Sequence, residues 1–253
     1  MMDLWDRARG REHPLLPPRR YRRFIGNGDF LKVGREITAY MRDELGMGPG
    51  HDVLDAGCGA GRIAVPLTDM LTEGSYLAST SCRTRSTGAP APSPRATPTS
   101  ASRTSTSTRR STTRSTLSSA DFRFPADDAA FDLAALIGLI SHLRPAEMEN
   151  YLAESARVLR PGGQCFATAY LVDDAVAANI ARGATAFEFT HDHGDYYVHS
   201  EEEPTYAIAY RLDHILSVAA RHGLRMRRDP RPGTWGVSAR RPASMDLLVL
   251  ERA

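Results

Sequence analysis

Val53-Leu54-Asp55-Ala56-Gly57-Cys58-Gly59-Ala60-Gly61-Arg62 is the stretch that decides the fold. The apolar run from His51 to Leu54 reads as a short buried strand that ends at an acid. The chain then enters a turn with glycine at every second position, and Arg62-Ile63-Ala64-Val65-Pro66-Leu67 begins a helical pattern. Strand, glycine turn and helix make the first unit of a nucleotide-binding α/β sheet. Gly57 and Gly59 let the backbone take positive φ and approach a ligand closely. Free amides at the helix start are expected to face the same spot.

The spacing narrows the ligand. A dinucleotide turn wants G-x-G-x-x-G, whereas here the pattern is Asp55-x-Gly57-x-Gly59-x-Gly61. An acid just before the first glycine would repel a pyrophosphate but suits a ligand with an amino group and a sulfonium. The string Leu-Asp-Ala-Gly-Cys-Gly-Ala-Gly-Arg closely resembles motif I of the class I S-adenosylmethionine-dependent methyltransferases. The resemblance implies S-adenosylmethionine as cofactor. It also implies a Rossmann-like, doubly wound, mostly parallel sheet in a three-layer α/β/α sandwich. The cofactor-binding residues it implies around the turn are Asp55, Gly57, Cys58, Gly59, Gly61 and Arg62.

At 253 residues the chain has the length of one large domain, or one domain with an insertion. No apolar run is long enough to span a membrane, and Met1 to Gly10 has no signal-peptide hydrophobic region. Cys58, Cys82 and Cys165 lie far apart with no C-x-x-C pair. That spacing argues against zinc and against a disulfide framework, and fits a cytoplasmic protein. The arm from residue 1 to 23 is rich in arginine and proline and reads as solvated. Its few aromatics weaken the alternative of an RNA-binding arm. The methyltransferase domain is expected over residues 24–253. Asp29 can cap a helix running to about Leu45 with Phe30, Val33, Ile37, Tyr40 and Met41 on one face. In the family resembled, such a helix covers the methionine end of the cofactor.

After the first sheet helix, expected to run to about Leu71, Ser75-Tyr76-Leu77 starts a second strand. From Ala78 to Thr116 the chain then contains only Ala, Ser, Thr, Arg, Pro, Gly and Cys. Such a composition cannot bury a core and is expected to be disordered or misfolded. An α/β sheet nevertheless needs a strand, a helix and another strand in this interval. A shifted reading frame accounts for the conflict. TCN serine codons read from the preceding third base become NTC, for Val, Leu, Ile or Phe, and ACN threonine codons become NAC, for Asp, Asn, His or Tyr. So read, Ser79-Thr80-Ser81-Cys82-Arg83-Thr84 permits Val-Asp-Val-Val-Pro-Asp, an aliphatic strand ending near an acid. The resemblance puts a carboxylate for the ribose diol near Thr80 and an acid beside the adenine amine near Thr106. As written, both positions are threonines, although Thr80 stays among the cofactor-binding candidates. The segment also carries seven arginines and no acid, and without them the formal charge of +2 becomes −5. The basic balance is therefore poor evidence for a nucleic-acid partner.

Leu133 to Ile140 is a continuous apolar run suited to a central parallel strand and its exit. Phe131-Asp132 leading into it, with Ser141-His142-Leu143 after it, resembles motif IV of the same family. Ligands in such sheets sit at the carboxyl ends of the strands. That places Leu136, Ile137 and Gly138 along the cofactor and His142 toward the acceptor. A helix opens at Pro145 and Glu147 and stops at Leu159-Arg160-Pro161-Gly162-Gly163, before a strand from Gln164 to Tyr170. Ala-Arg-Val-Leu-Arg-Pro-Gly-Gly before a strand resembles the same family again.

Residues 171–206 read as an insertion that lids the substrate. Its His191, Asp192, His193, Asp195 and His199 also permit a metal site, but they crowd one loop with no partner cluster elsewhere, so no metal is expected. Arg211 to His222 is helical. Leu224-Arg225-Met226 and Met245 to Leu250 can pair as a final antiparallel hairpin, with Trp235 between them on the rim of the pocket. Methyl transfer is an in-line displacement, in which the protein chiefly positions the acceptor and excludes water. An acceptor that holds a proton at neutral pH also needs a base; His142 is the first candidate, followed by Tyr170 and His193. The acceptor is expected to be a small molecule. Two alternatives stay open: a defective or non-catalytic relative, and a nicotinamide-dependent oxidoreductase.

Overall fold

The computed structural model describes residues 16–17, 29–79, 120–237 and 244–253. Thr80, Thr106, nearly all of the low-complexity segment and all of the arm but residues 16–17 lie outside the described residues; Leu16 is buried against Phe30 and Val65, a correction to the solvated reading at that point of the arm.

Helix α1 (Phe30–Leu45) starts where Asp29 Oδ1 accepts from the Lys32 amide at 2.7 Å, and stops at Gly46, whose φ is +71°. Its buried stripe is Phe30, Gly34, Thr38, Met41 and Leu45, while Val33, Ile37 and Tyr40 are only half-buried. The stripe is rotated from the apolar face expected because α1 packs through a small residue. A Cβ on Gly34 would stand 2.3 Å from the Arg62 carbonyl oxygen. Hydrophobicity cannot reveal a contact made by an absent side chain.

Strand β1 (Val53–Ala56) runs through Asp55 rather than ending before it, and all four of its residues are buried. Helix α2 (Ala64–Met70) follows the glycine turn. Strand β2 (Tyr76–Ser79) lies parallel to β1, with Asp55 opposite Ala78 and Ala56 opposite Ser79. The first two residues of the low-complexity segment are thus ordered strand, a correction to the expectation of disorder from Ala78 onward.

Strand β3 (Phe131–Leu136) pairs parallel with β1. A 3-10 turn (Ile140–His142) and helix α3 (Pro145–Val158) come next. Glu147 Oε2 accepts from the Arg144 amide at 2.8 Å and fixes the start of α3. Strand β4 (Leu159–Val172) begins at once after α3, so Arg160-Pro161-Gly162-Gly163 is not a loop. It is an irregularity within the strand: Phe131 faces Leu159, but Leu133 faces Gln164. Arg160 then reaches both Asp52 and Asp132 at 2.7 Å and ties together the entries of β1, β3 and β4.

The interval read as a lid is more regular than expected. It holds helix α4 (Asp174–Ala181), strands β5 (His191–Asp192) and β6 (Tyr196–Val198), and a 3-10 turn (Pro204–Tyr206). Strand β7 (Ile208–Arg211) pairs antiparallel with β6 and parallel with the last residues of β4, Tyr170 to Val172. Helix α5 (Leu212–Arg221) leads to β8 (Leu224–Met226), which pairs antiparallel with β9 (Asp246–Arg252), the hairpin expected from the sequence. Strand β9 also pairs antiparallel with β4. The order β2-β1-β3-β4-β9-β8 is a mostly parallel Rossmann-like sheet in which β9 alone is reversed, and β7-β6-β5 extends it from the tip of β4.

Two apolar layers cover the sheet. Met41, Leu45 and Leu67 pack on one face with Val53, Leu133 and Phe166. Met148, Tyr151, Ile215 and Val218 pack on the other with Leu54, Leu136 and Ala167. Among the described residues no helix is long and apolar enough to cross a membrane.

Candidate functional site

The alternation of side chains along the strands selects one face of the carboxyl edge. Val53 belongs to the α1 layer, so Asp55, two residues on, projects to the same side. Ala135 and Ile137 follow on β3 and its exit, and Phe166, Thr168 and Tyr170 on β4. The glycine turn sits beneath α1 through the Gly34–Arg62 contact. Asp55 and Ile137 therefore project to the α1 side of the carboxyl edge, where the glycine turn (Gly57, Cys58, Gly59, Gly61, Arg62) leaves β1 and Gly138 follows β3. Leu136 points the other way, is fully buried in the opposite layer, and can offer only backbone.

Glycine is required where the sequence places it. Gly57, Gly59, Gly61 and Gly138 have φ of +76°, +52°, +82° and +63°. At Gly57 a Cβ would also stand 2.9 Å from Leu139 Cδ1. The expectation of free amides needs correction, however. The Gly57 and Cys58 amides both donate to the Ser79 carbonyl, at 2.7 and 3.2 Å, and the Gly61 amide donates to Cys58. These three bonds shape the turn, so its value to a ligand is close approach. On the far side, the Gly138 amide donates to Thr168 Oγ1 at 2.7 Å.

Asp55 is 2% exposed, and the Tyr76 hydroxyl donates to its Oδ2 at 2.6 Å. Burial lifts the Asp55 carboxyl to about 7, against the opposing pull of the Tyr76 hydrogen bond. Burial and the adjacent carboxylate push the Tyr76 phenol well up. Arg62 lies with its guanidinium 5.9 Å from the centre of the Phe30 ring, and its buried Nε has no hydrogen-bond partner among the described residues. A buried acid can receive an ammonium, and a buried guanidinium nitrogen without a partner can receive a carboxylate.

His142 is exposed, and its Nδ1 lies 2.9 Å from the Thr205 carbonyl oxygen. A carbonyl only accepts, so Nδ1 carries the proton and Nε2 keeps a lone pair. The two other base candidates fare worse. Burial raises the Tyr170 phenol, with Tyr206 adding to the shift. His193 Nε2 is 2.9 Å from Glu201 Oε1, on the β5–β6 hairpin at the outer limit of the sheet extension. Among the described residues no three His, Cys, Asp or Glu side chains are grouped to hold a metal.

Several contributors escape a reading of the sequence alone. Tyr76 reaches Asp55 only because β2 pairs with β1 in this register. Phe187 stacks on Tyr170, and His199 and Tyr206 pack on Phe187, only because α4 and β5–β7 fold back. Trp235, expected at the rim, is 1% exposed and donates from Nε1 to Asp246 Oδ2 at 2.6 Å.

Residues 54–167 match the model of a family described as a methyltransferase domain. The match runs from β1 into β4 and spans every cofactor candidate. Among solved structures, the chain is similar to 1,6-didemethyltoxoflavin-N1-methyltransferase of Burkholderia thailandensis, at 13% identity and a TM-score of 0.51, covering 88% of this chain and 79% of that one. It is similar to magnesium protoporphyrin IX methyltransferase of Synechocystis PCC 6803, at 15% identity and a TM-score of 0.52, covering 92% and 93%. It is also similar to the 4+2 cyclase SpnF, at 13% identity and a TM-score of 0.50, covering 90% and 83%. At such identities the likeness establishes the fold, and the cyclase illustrates that one fold carries more than one reaction.

Proposed function

We propose, from the premise that this chain belongs to the class I S-adenosylmethionine-dependent methyltransferases by its domain at residues 54–167, that it methylates a small-molecule acceptor. S-adenosylmethionine is the methyl donor. The observation that carries the site reading is a buried acid at the strand end where the glycine turn begins, and the unpartnered nitrogen of Arg62 after the turn supports it. Asp55 receives the donor's ammonium and Arg62 its carboxylate. Gly57, Cys58, Gly59 and Gly61 let the donor approach the backbone, and Ile137 and Gly138 line its other side. When bound, the donor supplies a methyl group on a positive sulfur.

The chain's own contribution is position and dryness. Tyr76 holds Asp55 in place, and α1 closes over the turn through Gly34. Residues 171–206 flank the acceptor side, where the Thr205 carbonyl keeps His142 in the tautomer that can take a proton from an acidic acceptor. As the acceptor took the methyl, the methyl carbon–sulfur bond would break and its electron pair stay on the sulfur as a neutral thioether, while the acceptor's proton would pass to His142 Nε2 and leave the methylated acceptor neutral. The spacing of the three cysteines supports a reducing, cytoplasmic setting.

One sequence observation favours a second reading, a methyltransferase-like chain with weakened donor affinity. Thr80, directly after β2, has no carboxylate for the ribose diol.

A labelled-methyl assay tests the proposal, offering low-molecular-mass extract, total RNA and total protein as separate acceptors. Label entering the small-molecule fraction is the expected result. Label confined to RNA or protein overturns the acceptor class.

A further inference from the structure

The last residues of β4 and the folded-back interval after it build a column of aromatic rings. Tyr170 and Phe187 stack with centroids 5.5 Å apart and planes 20° from parallel. Phe187 and Tyr206 continue the stack at 6.2 Å and 26°. Behind it, Phe189 and Trp235 are 3% and 1% exposed and meet Tyr170 edge-on, which is how an ordinary apolar core ends. Tyr206 does not fit that description. It terminates the stack with 56% of its surface open to solvent. Its neighbour Thr205 is the residue whose carbonyl holds His142, so the open ring and the free Nε2 belong to one locality.

We propose that the acceptor is a flat aromatic molecule with an ionisable hydroxyl or ring amine, taken as a further ring on the Tyr170–Phe187–Tyr206 column beside His142. The inference rests on the methyl-transfer reading and supplies its substrate class. Near-parallel planes present a single flat face, which suits offset stacking. A quaternary ammonium would instead want ring faces converging from several sides. One polar handle completes the recognition: His142 Nε2 accepts from the acidic group of the acceptor.

Calorimetry on the full chain loaded with S-adenosylhomocysteine provides the test. The probes are 2-naphthol, its saturated counterpart trans-decahydro-2-naphthol, and tetramethylammonium. The column requires naphthol to bind roughly tenfold tighter than the saturated alcohol. It also requires Tyr206→Ala, at an exposed position, to weaken naphthol roughly fivefold while leaving S-adenosylhomocysteine affinity unchanged. Equal affinity for the two alcohols, indifference to Tyr206→Ala, or displacement of naphthol by tetramethylammonium overturns the inference. Failure of the donor reading looks different: S-adenosylhomocysteine gives no heat, yet naphthol still binds in a Tyr206-dependent way.

Discussion

The hydroxyl of Tyr76 and the carboxylate of Asp55 form a 2.6 Å hydrogen bond across the β1–β2 pair, at the point where β1 enters the glycine turn. Asp55 carries a desolvation cost there, and its carboxyl titrates near 7 against an ordinary 3.8. A folded acid with a raised value holds a proton that the unfolded chain has already released. Stability therefore falls as pH rises from about 4 to about 7 and stays reduced above that. Asp55→Asn keeps the acceptor for Tyr76 and removes the titration. Between pH 5 and pH 8, urea melts should move in favour of the variant by about 2–3 kcal/mol. Parallel pH profiles for the two proteins would show that Asp55 is not desolvated.

The same group governs the pH dependence of donor affinity. Below about 7 the carboxyl is largely protonated and attracts an ammonium poorly. Affinity for S-adenosylhomocysteine should rise with pH through that value in the wild type. Tyr76→Phe removes a hydrogen bond that favours the charged form, so the midpoint should move to higher pH. A midpoint unchanged in Tyr76→Phe would detach Tyr76 from the site.

Gly57→Ala combines two faults, a φ of +76° and a Cβ 2.9 Å from Leu139 Cδ1. Leu139 can yield partly, because the clash is with the end of its side chain. The backbone strain remains, so a loss of about 1–3 kcal/mol is expected in chemical denaturation. Donor affinity should fall with it, whereas Gly46→Ala, at an open helix terminus with φ +71°, should lose stability alone.

His142→Asn leaves a polar side chain but no base. Methyl transfer into the small-molecule fraction should drop roughly a hundredfold in kcat, with S-adenosylhomocysteine affinity unchanged. An unaltered kcat would mean that the acceptor needs no base or uses another.

Asp246 organises the wall behind the aromatic column. Its carboxylate accepts from Trp235 Nε1, the Gly233 amide and the Leu171 amide, at 2.6, 2.6 and 2.8 Å. Asp246→Ala leaves these buried donors unpaired and should cost about 2–4 kcal/mol. The fluorescence of Trp235 should shift to the red, and a spectrum identical to wild type would contradict this packing.

The range of each interaction decides whether it is legible in the sequence. The glycine turn, the apolar run of β3 and the β8–β9 hairpin are written in local pattern, and the structure has them where expected. Tyr76 cannot be assigned from pattern, because its reach to Asp55 depends on strand register. Pro161-Gly162-Gly163 reads as a loop, yet Arg160 pairs twice and holds the backbone in β4. Residues 171–206 carry too many polar groups to look like sheet. Their strands exist because β7 finds an unpaired edge at Tyr170 to Val172, where β3 and β9 have stopped. Trp235 reads as a rim residue in a long connection, but Asp246 gives its indole N–H a buried partner.

The most direct measurement is calorimetric titration of the chain, with its sequence unaltered, with S-adenosylhomocysteine, alongside circular dichroism. The account predicts saturable binding of one equivalent, strengthening through pH 7 and abolished by Asp55→Ala. An intact α/β spectrum with no binding heat at any pH would contradict the claim that Asp55, Arg62 and the glycine turn form a working donor site.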